Sequence, residues 1–157
     1  MDIMNKGEII KYARLSNLMN ISIFFGDETF KFNLNSEVVV NENKINQEIQ
    51  DQPSAYAFLG MLYKKLVRKA QDKKREMEKT YGIMFIKFKS QTDLQTNRPT
   101  ANDLAKEQAI VSSRYQKAVI EYIEAQHESE ILEVCVKSFE QRSSLIQTLS
   151  ANIRKNN

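Results

Sequence analysis

The residue types that commonly carry catalysis are sparse in this sequence and badly spaced for it. His127 is the single histidine and Cys135 the single cysteine, and a helix would hold them eight residues, about two turns, apart. A nucleophile and its base must lie within hydrogen-bond reach, so these two residues do not form a catalytic pair. We interpret Cys135 as a small buried apolar residue. Because it cannot form an internal disulfide, we expect a cytoplasmic protein.

Carboxylates are plentiful in the C-terminal third, but they lack the spacing of a metal site. A carboxylate-bridged metal bundle repeats Glu-x-x-His on two helices, whereas Glu124-Ala125-Gln126-His127 supplies that pattern once. The four glycines, at positions 7, 26, 60 and 82, are scattered and form no phosphate-binding loop. We therefore interpret the acidic side chains as a solvated helix surface, and we expect no enzyme activity, no metal and no cofactor.

Positive charge is the feature of this sequence that indicates a class of partner. The chain has a net charge of +3, yet residues 51–90 alone hold ten basic and four acidic residues. A ridge of lysine and arginine can follow a phosphate backbone, with affinity supplied by counterion release. The candidate DNA-binding residues fall within sixteen positions and are Lys64, Lys65, Arg68, Lys69, Lys73, Lys74, Arg75 and Lys79.

Helical spacing sorts most of these cations into two lines. One face, with offsets of four, seven and four, holds Lys64, Arg68, Arg75 and Lys79. An adjacent line holds Lys65, Lys69 and Lys73. Tyr63 and Tyr81 flank the segment, and bases of single strands stack on aromatic rings without regard to sequence. The alternative is a solvated face that keeps a long helix soluble; we favour a polyanion.

The basic segment lies in the first of two long helical patterns. From Ser54 to about Phe88, apolar residues recur at spacings near three, four and seven, which draws one stripe along a helix. Pro53 suits the first turn of that helix, with Asp51 as its cap. We expect a helix of this length to be covered by a partner element along its apolar stripe.

The second long pattern runs from about Ser113 to Ile153 and predicts a heptad seam. Apolar or small residues recur along it, and the spacing between successive ones alternates between three and four residues throughout. Further apolar residues, including Ile123 and Leu145, lie off the seam, so we expect contact with a third helix or another subunit. The polar residues 89–100 predict a loop, and Thr100 or Asn102 is expected to cap a short helix after it.

The N-terminal residues predict a small β-structure. Two runs rich in β-branched and aromatic residues flank Gly26-Asp27-Glu28, which indicates a β-hairpin over 21–34. Ser36 or Asn41 is expected to cap a short helix after it. The predicted fold is mainly α, with residues 1–50 forming an N-terminal segment that carries the hairpin. Residues 51–157 form a long antiparallel helical hairpin or bundle that oligomerises.

Several short segments resemble phage recombination mediator proteins of the UvsY family. The resemblance covers roughly residues 45–155. It is carried by Gln52-Pro53-Ser54-Ala55-Tyr56 before the Lys/Arg-rich helix, Arg98-Pro99-Thr100, Tyr115-Gln116-Lys117-Ala118, Ala125, Phe139-Glu140-Gln141-Arg142-Ser143-Ser144-Leu145 and Leu149-Ser150-Ala151-Asn152. The first 35 residues lie outside it, and we expect them to make oligomer contacts.

The resemblance implies a function in DNA recombination and repair. Proteins of that family are helical, form rings, bind single-stranded DNA and help a RecA-like recombinase replace the single-strand-binding protein, without catalytic activity of their own. A phage origin implies the host cytoplasm. The family's DNA-contacting residues lie in the long first helix, which here implicates Lys64, Lys65, Arg68, Lys69, Lys73, Lys74 and Arg75. The alternative function is a structural or adaptor protein, such as a virion component or an assembly chaperone.

Overall fold

A computed structural model describes residues 20–25, 28–92 and 98–156 of the chain. The structure is mainly α-helical with a small two-stranded antiparallel sheet near the N-terminus, as predicted. Its elements are β1 (Asn20–Phe25), β2 (Glu28–Asn33), α1 (Leu34–Val38), α2 (Ile45–Lys89), α3 (Asn102–Val111) and α4 (Ser113–Asn156). None of these helices is both long enough and apolar enough to cross a membrane.

The described residues divide into two compact units, and α2 and α4 contribute to both. The first unit, here called the end unit, combines the described residues up to Gly60 with those from Val134 onward. The second, here called the central unit, comprises the described residues of Met61–Glu133. The eight predicted DNA-binding residues all belong to the central unit.

The predicted β-hairpin is confirmed in the end unit. Ile21 pairs with Phe32 and Ile23 with Phe30 in an antiparallel register, while the predicted turn residues 26–27 lie outside the described part of the chain. An isolated two-stranded hairpin is marginal in water. Burial of both isoleucines and an edge-to-face contact of Phe30 with Phe58 of α2, 5.9 Å between ring centroids, supply the missing support.

The long first helix begins at Ile45, nine residues before the predicted start at Ser54, and Pro53 lies inside it. The first turn was therefore assigned wrongly. Contacts from α4 stabilise the additional turns: Gln52 donates to the Phe139 carbonyl at 2.7 Å, and Arg142 forms an ion pair with Glu48. Proline inside a helix removes a backbone hydrogen bond and disfavours the turns before it. These contacts with α4 stabilise the helical turns that precede Pro53.

Caps around the short elements differ partly from those predicted. Asn33 caps α1 by accepting a hydrogen bond from the Ser36 backbone N–H at 3.1 Å, so the predicted Ser36 cap was wrong. Asn41 does cap a turn, the 3-10 helix Glu42–Lys44, accepting from the Asn43 N–H at 3.1 Å. Ala101 precedes α3 without a side-chain cap, which corrects the expectation for Thr100 or Asn102. The Thr100 hydroxyl instead donates to the Gln91 carbonyl at 2.9 Å.

The predicted seam on the second long helix is confirmed. All of its members are buried or half-buried, namely Tyr115, Ala118, Tyr122, Ala125, Ser129, Leu132, Val136, Phe139, Ser143, Ile146, Ser150 and Ile153. Within the central unit α2 and α4 run antiparallel, because Lys69 pairs with Glu128 while Tyr81, further along α2, contacts Tyr115. The core residues of that unit include Leu62, Leu66, Ala70, Met84, Ala125 and Leu132.

Burial makes Cys135 a structural residue of the end unit. Its side chain is fully buried, and desolvation raises the pKa of the thiol to about 11. Because the thiolate is the reactive species, only roughly one thiol in a thousand is ionised at about pH 8. We expect iodoacetamide to leave native Cys135 unmodified and to label it fully in denaturant, as intact mass measures. Comparable labelling of the native protein would show that the helices open readily.

Candidate nucleic-acid interface

The candidate interface is the outer face of α2 in the central unit, formed by the line Lys64, Arg68, Arg75 and Lys79. Successive helical residues turn by about 100°, which places this line about 160° around the axis from the buried Leu66 and Ala70. The four side chains are exposed. At ~1.5 Å per residue they extend over about 22 Å of helix. The outer face therefore presents a row of cations to solvent.

Several exposed cations of α2, two of them in the outer line, are available to an incoming anion. Arg68, Lys74 and Lys79 are exposed and form no ion pair with any residue that the structure describes. Arg75 pairs with Asp72 one turn earlier, with both side chains more than half exposed. An exposed pair of this kind contributes about 0–1 kcal/mol, so a phosphate can replace the carboxylate at little cost.

The adjacent line of cations has a different environment. Lys69 donates to Glu128 of α4 at 2.6 Å, and Lys73 donates to Glu121 at 2.7 Å and to Glu76 at 3.1 Å. The hydrogen bonds to Glu121 and Glu76 raise the pKa of Lys73, and the bond from Lys73 lowers the pKa of Glu121. Lys73 stands in the apolar stripe of α2, where its ammonium joins the two helices. Lys65, the third member of this line, is exposed.

The structure thus separates the eight predicted residues by environment. Lys69 and Lys73 form ion pairs with acidic side chains of α4, whereas no cation of the outer line forms an ion pair with any residue of α4 that the structure describes. Helical spacing alone identified that outer line. It did not identify the carboxylates opposite Lys69 and Lys73, because that requires the register between α2 and α4.

The aromatic residues beside the basic segment lie among neighbours rather than on its outer face. Tyr81 makes an edge-to-face contact with Tyr115 of α4, at 5.6 Å, and stacks on Phe85 at 6.4 Å. All of these rings, together with Tyr63, are half-buried. The Lys64 ammonium lies 5.5 Å from the centre of the Tyr63 ring. The rings therefore support the helix pair as well as flanking the cations.

Sequence reasoning missed the residues that continue the outer face beyond Lys79. Gly82 follows Arg75 by two turns, and Ile86 follows Gly82 by about one more. Ile86 is 67% exposed, and Ile83, which lies beside this face in line with Lys65, is 40% exposed. The available signal was the position of Gly82 at helical spacing from Arg75 and Lys79, since glycine inside a helix is destabilising by about 1 kcal/mol relative to alanine.

The chemistry that this surface supports is electrostatic binding. Its exposed ammonium and guanidinium groups match the phosphates of an extended polyanion, and guanidinium also pairs phosphate oxygens in bidentate fashion. Among the described residues, no group of three or more His, Cys, Asp or Glu side chains is arranged to hold a metal ion. In comparisons with known proteins, no family model, no curated protein and no solved structure matches this chain.

Proposed function

We propose that this chain binds single-stranded DNA through the outer face of α2. The observation that carries the proposal is the row of exposed cations at Lys64, Arg68, Arg75 and Lys79, on the side of the helix opposite its buried stripe. No acidic residue interrupts this line between Lys64 and Lys79 at the same helical spacing, since Gln71 occupies the remaining position. The line itself is therefore suited to a phosphate backbone, while Asp72, which pairs with Arg75, and Glu78 border it.

The proposed biological role is that of a recombination mediator. It rests on this basic face together with the resemblance to the UvsY family, and it assigns the protein to phage DNA recombination in the host cytoplasm. In this role the chain holds single-stranded DNA while a RecA-like recombinase replaces the single-strand-binding protein. The proposal requires binding and assembly and assigns no catalytic step to the chain.

Assembly into a homo-oligomer, a ring by resemblance, forms part of the proposal. Exposed apolar side chains on α4 support it: Ile120 and Ile123 are 55% and 57% exposed in the central unit. In the end unit Val134 and Leu145 are 58% and 48% exposed. Ile120 and Ile123 are three residues apart, and such neighbouring exposed aliphatic side chains on one helix suit contact with another protein. An oligomer would repeat the cationic row and gain avidity for a long strand.

The mediator role predicts a gain of recombinase activity. Single-stranded DNA is first coated with the single-strand-binding protein of the same genome, and that genome's RecA-like recombinase is then added. Adding this chain should raise the DNA-dependent ATPase rate of the recombinase severalfold, because coated DNA otherwise excludes it. A variant with Lys64, Arg68 and Lys79 replaced by alanine serves as the inactive control. An unchanged rate, with DNA binding intact, would reject the mediator role.

The second candidate is a structural or adaptor protein of the virion or its assembly. The exposed aliphatic side chains of α4 favour it, because they require only a protein partner. Pull-down of the tagged chain from infected cells distinguishes the two roles. Capsid or tail proteins retained after nuclease treatment support the adaptor role, whereas a recombinase recovered only when DNA is intact supports the mediator.

A further inference from the structure

Gly82 lies on the outer face of α2 in the central unit, at helical spacing from Arg75 and Lys79. It lies inside α2, where glycine weakens a helix relative to alanine. A β-carbon built on Gly82 meets no heavy atom of the rest of the described chain within 4 Å. No close approach within the chain therefore accounts for glycine at this position. Gly60 of α2 is equally open, so the open space permits an approach at Gly82 and the neighbouring residues must indicate the partner. Glycine at this position lets another molecule reach the helix backbone.

The residues around Gly82 indicate the chemistry of that partner. Arg75 and Lys79 precede it on the same face, and Ile86, which is 67% exposed, continues that face. Ile83, which is 40% exposed, lies beside the face in line with Lys65. The outer face thus changes from cationic to aliphatic within about two helical turns. A ligand lying along it must be anionic at one end of the contact and offer apolar surface at the other.

Single-stranded DNA satisfies both requirements with one molecule. Its phosphates match the cations, and its unpaired bases are free to leave the backbone line and contact apolar side chains, including isoleucine. Duplex DNA keeps its base faces stacked inside the helix and offers no such surface without unstacking. Charge complementarity therefore favours a nucleic acid over a second copy of this basic face, which would bring like charges together.

We propose that Gly82, Ile83 and Ile86 form a base-binding site that continues the phosphate-binding row of α2. Gly82 lets a base or sugar approach the helix backbone, and the two isoleucines contact the face of the base. This site rests on the proposed function, and it adds a preference for unpaired nucleotides that cations alone would not give. The site binds the bases, and it lies further along α2 than the cations that bind the phosphates.

An abasic strand separates the two contributions. Fluorescence anisotropy compares labelled oligothymidylate of roughly 30 nucleotides with an abasic strand of the same length and phosphate number. We expect the wild-type chain to bind oligothymidylate about tenfold more tightly, because apolar contacts with the bases add to the shared phosphate contacts. Ile86→Ser should remove most of that difference and leave the salt dependence of binding unchanged.

Gly82→Gln provides a variant whose stability and binding should change in opposite directions. Glutamine favours the helix, so the melting temperature should rise by about 2–4 °C, while its side chain blocks the approach to the backbone and abolishes the preference for oligothymidylate. Gly60→Gln is the matched control, because a β-carbon at Gly60 also meets nothing within 4 Å. It should stabilise the chain similarly and keep the preference.

The outcomes distinguish this inference from the proposed function. Equal, measurable affinity of the wild-type chain for both strands would overturn the base-binding site and leave the phosphate row standing. Undetectable binding of either strand at low salt would overturn both. If Gly82→Gln and Ile86→Ser instead lower the oligomer mass in light scattering and keep the preference for oligothymidylate, the surface binds a second copy of the chain and the base-binding site is wrong.

Discussion

Replacing Lys64, Arg68 and Lys79 together with alanine is expected to weaken binding of single-stranded DNA about 100-fold at about 0.1 M salt. Each cation that neutralises a phosphate adds roughly 0.7 to the slope of log affinity against log salt for a single strand. The triple variant should therefore show a slope shallower by about 2. Anisotropy titrations across a salt series measure both quantities.

A control variant that loses the same charge elsewhere tests whether the outer face itself binds the DNA. Lys106, Arg114 and Lys117 are exposed cations of the same unit, on α3 and α4. Their triple alanine variant loses the same net charge and should keep the wild-type slope, with affinity reduced only a fewfold through long-range attraction. Equal losses in the two variants would show that net charge, rather than the row on α2, determines binding.

Lys69→Ala with Lys73→Ala extends this comparison to the second line of cations. Because these ammonium groups already bind Glu128 and Glu121, we expect the affinity for DNA to fall much less than in the outer-face variant. The loss should appear instead as reduced stability of the central unit. The eight residues predicted together from sequence would then divide into a binding set and a structural set.

Arg142→Ala is expected to destabilise the fold by about 3 kcal/mol. The Arg142 side chain is 9% exposed and forms an ion pair with Glu48, which is 17% exposed. Its guanidinium also donates to Gln52, whose own amide donates to the Phe139 carbonyl. Removing the arginine leaves a largely buried carboxylate without its counterion and a buried amide oxygen without its donor. Urea unfolding followed by circular dichroism at fixed protein concentration measures the change.

Two further variants test the cause of that destabilisation. Arg154→Ala removes an exposed arginine from the same helix and should change stability by no more than about 0.5 kcal/mol. Glu48→Leu combined with Arg142→Met replaces the buried pair by apolar side chains and should recover part of the lost stability. A double variant as unstable as Arg142→Ala would show that loss of the hydrogen bond to Gln52 or of arginine packing, rather than the unpaired charge of Glu48, is responsible.

The regular elements of this fold followed from apolar spacing. The seam on α4 was predictable because its spacings of three and four continue without a slip, and each of its members is buried or half-buried. The start of α2 was not predictable, because Pro53 resembles a first-turn proline. The contacts that extend the helix back to Ile45 come from Arg142, ninety-four residues beyond Glu48 in the chain. Such long-range partners leave no local signal.

In the candidate site, too, the positions along one helix could be predicted from the sequence, but the contacts between helices could not. Helical spacing identified the line Lys64, Arg68, Arg75 and Lys79, because the positions that share a face follow from the helix period alone. The partners of Lys69 and Lys73 depend on the register of two helices. The position of Gly82 at helical spacing from Arg75 and Lys79 was readable in the sequence, whereas the open space around it required the structure.

We propose above that the outer face of α2 binds the phosphates of single-stranded DNA. The most direct test of this proposal is an anisotropy titration of labelled oligothymidylate with the wild-type chain between about 50 and 200 mM salt. With four cations in the outer line, we predict a log–log slope near −3, since each contributes roughly 0.7. Binding that is absent at the lowest salt, or that does not respond to salt, would contradict this account.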